Sequence, residues 1–202
     1  MILIVDTSSS GLRFALGGKT KTVASEKQSV ALPLEVEKFL AESGLPAKAS
    51  AKAGAAFRDL TAIGVVVGPG SFTGIRIGIA YAKGLAIGLN IPVLPVNAFE
   101  IYLERAPDAF VALDTGRGDF FVGGANLPPA VMTIDEVETE QMKYACTVGH
   151  EPYDLADALP IVERKLAAAK QGRGGLKHGD TTPPVIPMYL RPHYAEQNRK
   201  SS

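Results

Sequence analysis

Cysteine is all but missing from this chain: Cys146 is the only one in 202 residues. No intrachain disulfide can form, and a cysteine cluster for zinc is excluded. Cys146 itself reads as a small apolar residue of the run Tyr144 to Val148, not as a nucleophile. Histidine is scarce too. His150, His178 and His193 are the full set, and no two lie four apart on a helix. Neither a Ser-His-Asp nor a Cys-His arrangement can be argued from them. An excess of either charge is also lacking, since 21 lysines and arginines balance 21 aspartates and glutamates. Nucleic-acid binders carry a basic footprint, and this chain has none overall. No apolar run approaches the ~20 residues of a membrane span. Met1 leads straight into Ile2-Leu3-Ile4-Val5 with no basic region, which reads as a strand and not as a signal peptide. The expected location is the cytoplasm, with no membrane partner.

What is present suits a soluble globular protein of one large or two small domains, with 46% apolar and 21% charged residues. Ile2 to Val5 is an apolar strand ending in the polar turn Asp6 to Gly11. Leu12 to Leu16 returns, and Thr20 to Ser25 makes a third strand. Leu32, Val36, Phe39 and Leu40 fall at i, i+4, i+7 and i+8, predicting an amphipathic helix over Ala31 to Glu42. An alanine- and lysine-rich stretch, 47–56, follows. Ile63 to Val67 is apolar throughout apart from Gly64, as in a strand buried on both faces.

Next comes Gly68-Pro69-Gly70-Ser71-Phe72-Thr73-Gly74-Ile75-Arg76-Ile77-Gly78, opening a helix over Ile75 to Leu89. A glycine-rich turn at a helix start suggests a phosphate cradle. The loop lacks the lysine of a P-loop, and Gly74 comes one residue late for a dinucleotide fingerprint. Packing explains it better. Gly70, Gly74 and Gly78 share one helix face, a spacing repeated at Gly84 and Gly88, so another backbone can approach closely there.

Ile91 to Val96 carries two prolines and reads as an edge strand. Asn97 with Glu100 opens a helix to about Arg105. After a boundary at 106–108, Phe110 to Leu113 runs into Asp114-Thr115-Gly116-Arg117-Gly118, and Asp119 to Gly123 returns. Strand, Asp-Thr, turn and strand thus occur twice, at Asp6 and at Asp114, as in a duplicated two-domain fold. A helix over Ile134 to Met142 with Thr133 and Glu136 as its cap, a strand over Tyr144 to Val148, and helices over Tyr153 to Leu159 and Ile161 to Lys170 complete the second half. Gln171 to Pro187 reads as an exposed connection, and the tail from Ala195 as frayed.

The run from Gly68 to Gly78, continued by Ala82-Lys83-Gly84-Leu85-Ala86, resembles the signature of the TsaB (YeaZ) family. The resemblance covers the first ~100 residues closely, and the remainder loosely through Asp114 to Val122 and Tyr189-Leu190-Arg191. It implies an α/β, two-domain actin-like ATPase (ASKHA) fold, duplicated, with residues 1–106 as the first domain and a shortened second domain over 107–202. It also implies a non-catalytic subunit that dimerises with a TsaD-like transferase for threonylcarbamoyladenosine synthesis on tRNA. A TsaE-like ATPase would join the pair, and tRNA would be met only through the complex. Alone, the chain would form a homodimer. No cofactor or metal is expected on this chain by itself; ATP and magnesium would enter at the complex.

The matching helices make Leu32, Val36, Phe39, Leu40, Gly74, Arg76, Gly78, Ile79, Tyr81, Lys83 and Gly84 the candidate partner interface, though sequence does not divide them between partner and home sheet. In actin-like ATPases the two Asp turns grip nucleotide and magnesium, which makes Asp6, Thr7, Ser8 and Asp114 candidates for a vestigial nucleotide site. The alternative, favoured here, is that these side chains only close their turns. Asp-Thr-Gly-Arg at 114–117 departs from the Asp-Ala-Arg-Arg usual in the family, and Gln28-Ser29-Val30 from its His-Ser-Glu. The competing function is an autonomous actin-like ATPase or small-molecule kinase using Asp6 and Asp114.

Overall fold

A computed structural model describes residues 1–44, 57–171 and 184–191. The stretch 47–56, most of the connection after Gln171, the tail from Ala195, His178 and His193 lie outside them.

Two twisted sheets carry the chain. The first comprises β1 (Ile2–Asp6), β2 (Gly11–Leu16), β3 (Lys19–Ala24), β4 (Ala62–Val66) and β5 (Val93–Val96), in the order β3-β2-β1-β4-β5. β1 is antiparallel to β2 and parallel to β4. The second comprises β6 (Phe110–Asp114), β7 (Asp119–Gly124), β8 (Leu127–Thr133) and β9 (Thr147–Val148), ordered β8-β7-β6-β9. β6 is antiparallel to β7 and parallel to β9. Among the described residues the second sheet therefore repeats the order and sense of the first without a fifth strand, and the internal repeat seen in the sequence is a repeat of topology.

Helices α1 (Gln28–Glu42) and α2 (Phe72–Leu89) cover one face of the first sheet. Leu3, Val5, Ile63 and Val65 point to that side and meet Leu32, Val36, Phe39, Leu40, Ile75 and Ile79. The alternate residues Ile4, Ala62 and Val66 point the other way, where Ile101 of α3 (Ala98–Arg105) and Ile161, Val162 and Leu166 of α5 (Ala158–Gln171) cover them. This period of two makes β4 buried on both faces, as its apolar run, interrupted only by Gly64, predicts. α5 lies beyond residue 106 in sequence yet packs on the first sheet, so that boundary separates the sheets but not the helices. The smaller second core gathers Phe110, Ala112 and Val122 under Val137 of α4 (Ile134–Gln141).

Several boundaries move for physical reasons. α2 begins at Phe72 because Ser71 caps it, its hydroxyl accepting from the Gly74 amide at 3.2 Å. β8 has no counterpart in the sequence reading; Pro128 and Pro129 argue against a strand, but β8 lies at an edge where missing amide donors are tolerated. Of Tyr144 to Val148 only Thr147 and Val148 pair, and Cys146 is exposed. By length and composition α2 would reach across a membrane, but its inner face is packed in the first core.

Candidate functional site

Each Asp-Thr turn sits at the end of the first strand of its sheet. The two open on a cleft of about 980 Å³, whose walls include Ser9, Phe72, Asp114, Arg117, Tyr153 and Tyr189.

The first turn is locked. Asp6 is fully buried, and both of its oxygens are engaged. Oδ1 accepts from the Ser8 amide at 2.8 Å and the Ser8 hydroxyl at 2.6 Å. Oδ2 accepts from Arg13 Nη1 at 3.2 Å and from the Tyr153 hydroxyl at 2.7 Å. Arg13 is the cross-strand partner of Asp6 in the β1–β2 register. Its guanidinium lies 4.4 Å from the Tyr153 ring centre and donates to the Tyr153 carbonyl. Burial, and then the charge of Asp6, push the Tyr153 phenol well above its ordinary value, so it remains a donor. Magnesium needs free carboxylate oxygens. With four donors on it and an arginine as counter-ion, Asp6 does not fit that role.

Thr7 is equally committed. Its hydroxyl donates to the Gly74 carbonyl at 2.7 Å. A Cβ on Gly74 would overlap the Thr7 carbonyl, and one on Gly78 the Thr7 hydroxyl. The Ser8 carbonyl accepts from the Ser71 amide at 2.7 Å. The glycine face of α2 thus receives the first Asp-Thr turn of its own chain.

The second turn is open. Asp114 is exposed, and its Oδ1 accepts from the Gly116 amide at 2.7 Å, closing the turn. Thr115 donates to the Asp119 carbonyl at 3.0 Å. Arg117 and His150 are exposed on the cleft wall. Among the described residues, no group of three histidine, cysteine, aspartate or glutamate side chains is placed to hold a metal.

The candidate interface residues separate cleanly. Leu32, Val36, Phe39, Leu40 and Ile79 are buried in the chain's own core, and Gly74 and Gly78 are buried against Thr7. These seven are packed within the chain itself, so the apolar stripe of each helix faces the home sheet. Tyr81 is half-buried against that core, and burial pushes its phenol up to about 12. Arg76 donates to the Tyr189 hydroxyl at 2.7 Å, and Lys83 to the Val185 carbonyl at 3.2 Å. Gly84 is open, with nothing within 4 Å of where its Cβ would stand. The same outer faces expose Val30, Leu34 and Ile87, at 66%, 58% and 66%.

Sequence reasoning missed Arg13 and Tyr153. Arg13 had a signal, a lone charge in the otherwise apolar strand Leu12 to Leu16. Tyr153 had none, because it is brought to Asp6 from 147 residues away.

The family model of TsaD, tRNA N6-adenosine threonylcarbamoyltransferase, matches residues 12–143. The chain belongs to the TsaD family. A relative from Thermus thermophilus, named tRNA N6-adenosine threonylcarbamoyltransferase, is 32% identical over 123 residues, covering 57% of this chain and 35% of that protein. The tRNA threonylcarbamoyladenosine biosynthesis protein TsaB of Haemophilus influenzae is 30% identical over 133 residues, covering 59% of this chain and 51% of that one. The match thus spans between about a third and a half of these relatives. Among solved structures, YeaZ from Pseudomonas aeruginosa shares the fold with a TM-score of 0.67 at 21% identity, covering 94% of this chain and 99% of that one. A second Pseudomonas aeruginosa structure, described as an uncharacterized protein with similarity to peptidase YEAZ, gives 0.68 at the same identity and coverage. The resemblance to TsaB drawn from the Gly68–Gly78 signature therefore stands.

Proposed function

We propose that this chain is a non-catalytic, TsaB-like subunit that dimerises with a TsaD-like transferase and activates threonylcarbamoyladenosine formation on tRNA. The observation that carries the reading is the Asp6 carboxylate. In a two-lobed, actin-like arrangement it stands where a metal-nucleotide ligand would, yet Ser8, Arg13 and Tyr153 consume both oxygens. The glycine-rich signature supports it further, since Gly74 and Gly78 serve to seat Thr7 against α2. These features favour a scaffold over the autonomous ATPase or kinase.

The docking surface in this reading is the outer side of α1 and α2, where Val30, Leu34 and Ile87 are exposed and Gly84 leaves α2 without bulk. Exposed apolar side chains on neighbouring helices mark contact surfaces. Without its partner the same face pairs two copies of the chain. A TsaE-like ATPase joins the pair, ATP and magnesium enter at the complex, and tRNA is held by the other subunits, in keeping with this chain's zero net charge. All of this takes place in the cytoplasm. The test is whether transfer by a purified TsaD-like subunit depends on this chain.

A further inference from the structure

Tyr189-Leu190-Arg191 has no part in the function proposed above, yet the segment carrying it is firmly held. Residues 184–191 return from the second half of the chain to the first. Val185 is buried in the first core, and its carbonyl accepts from Lys83 of α2. The Met188 amide donates to the Val67 carbonyl at 2.7 Å, just beyond β4. Tyr189 then packs at a tilt against Phe72 with 4.7 Å between ring centres, while the Arg76 guanidinium lies 3.8 Å from the Phe72 ring centre and donates to the Tyr189 hydroxyl. Two residues on, the chain has reached the other sheet. Arg191 forms an ion pair with Asp119, donates to the Thr115 hydroxyl at 3.3 Å and lies 5.7 Å from the Phe121 ring centre. Met188, Tyr189, Leu190 and Arg191 all line the cleft between the sheets.

One short run is therefore fastened to α2 at one end and to the β6–β7 turn at the other, across the cleft. We propose that residues 184–191 are an interlobe clamp that sets the opening between the two sheets, with Arg76–Tyr189 and Arg191–Asp119 as its two anchors. Both anchors are at the rim, where an arginine is held by an aromatic face as well as by a hydrogen bond or ion pair. The clamp also removes Arg76 and Lys83 from the set of free cations on α2. A partner docking on the outer side of α2 would therefore meet a surface whose register to the second lobe is fixed in advance.

The single native cysteine makes the test direct. Cys146 is exposed beside β9, and Ala80 is exposed on α2. Spin labels on Cys146 and on Ala80→Cys report the distance between the lobes in the full chain. The clamp predicts one narrow distance distribution, which broadens in Arg191→Gln, in Asp119→Asn and in Tyr189→Ala, and is largely kept in Arg191→Lys. Hydrogen exchange in the unaltered protein gives a readout that needs no variant: the Met188 amide should be protected. Distributions for Arg191→Gln and Asp119→Asn that superimpose on the parent's, or a Met188 amide exchanging at the rate of an open chain, would overturn the clamp. Neither result bears on whether transfer requires this chain.

Discussion

The Thr7 hydroxyl donates to the carbonyl of Gly74 at 2.7 Å, with no room for a side chain between them. This contact ties the first Asp-Thr turn to the most distinctive stretch of the sequence. It also divides the α2 glycines into two kinds, one seating Thr7 and one facing outward.

That division predicts opposite outcomes for substitutions of one type. Gly78→Ala forces a Cβ onto the Thr7 hydroxyl and should destabilise the fold, seen as a lower Tm. Gly84→Ala meets nothing, relieves the entropic cost of a mid-helix glycine and should stabilise by about 1 kcal/mol. Equal shifts in Tm for both would refute the assignment.

Arg13 supplies the charge that lets Asp6 stay buried. Removing one member of a buried pair costs about 3–5 kcal/mol. Arg13→Ala should therefore lower the Tm by at least about 6 °C, taking about 2 °C per kcal/mol for a chain of this size. A melting curve unchanged within error would mean that the pair is not formed in solution.

Because Asp6 has no free oxygen, calorimetric titration of the purified chain with Mg-ATP should give no heat of binding. Micromolar binding that disappears in Asp6→Ala would revive the ATPase reading.

Alkaline pH should unfold the protein through its tyrosines. Burial raises the phenols of Tyr81, Tyr102 and Tyr153. A folded-state value above the unfolded one, near 10, contributes stability that is complete below pH ~10 and is lost as pH rises beyond it. Tm should fall from about pH 10 upward, with phenolate absorbance from these residues appearing only as the fold is lost. Phenolate from all six tyrosines at an ordinary pH, with the fold intact, would contradict this.

Much of this was legible in the residues themselves. The apolar run around Gly64 gives β4, and the spacing of Asn97 and Glu100 gives a capping box that the structure contains. Asn97→Ala should accordingly cost about 1 kcal/mol. The duplicated Asp-Thr turns give the repeat. Other features were hidden because they depend on partners far away in sequence. Helical periodicity finds the stripe of Leu32, Val36 and Phe39 but does not say whether a sheet or another chain covers it. Val185 and Met188 lie in or just after a proline-rich connection, and only their contacts with α2 and Val67 reveal that this part is anchored.

The central claim is that this chain serves a transferase rather than acting alone. The deciding measurement is the rate of threonylcarbamoyl transfer to tRNA by a purified TsaD-like subunit with its other factors, with and without this chain, and with Gly84→Leu in its place. Transfer is expected only when the chain is present, and should be lost with Gly84→Leu although that variant melts no lower than the parent. Equal transfer with and without the chain would contradict the claim.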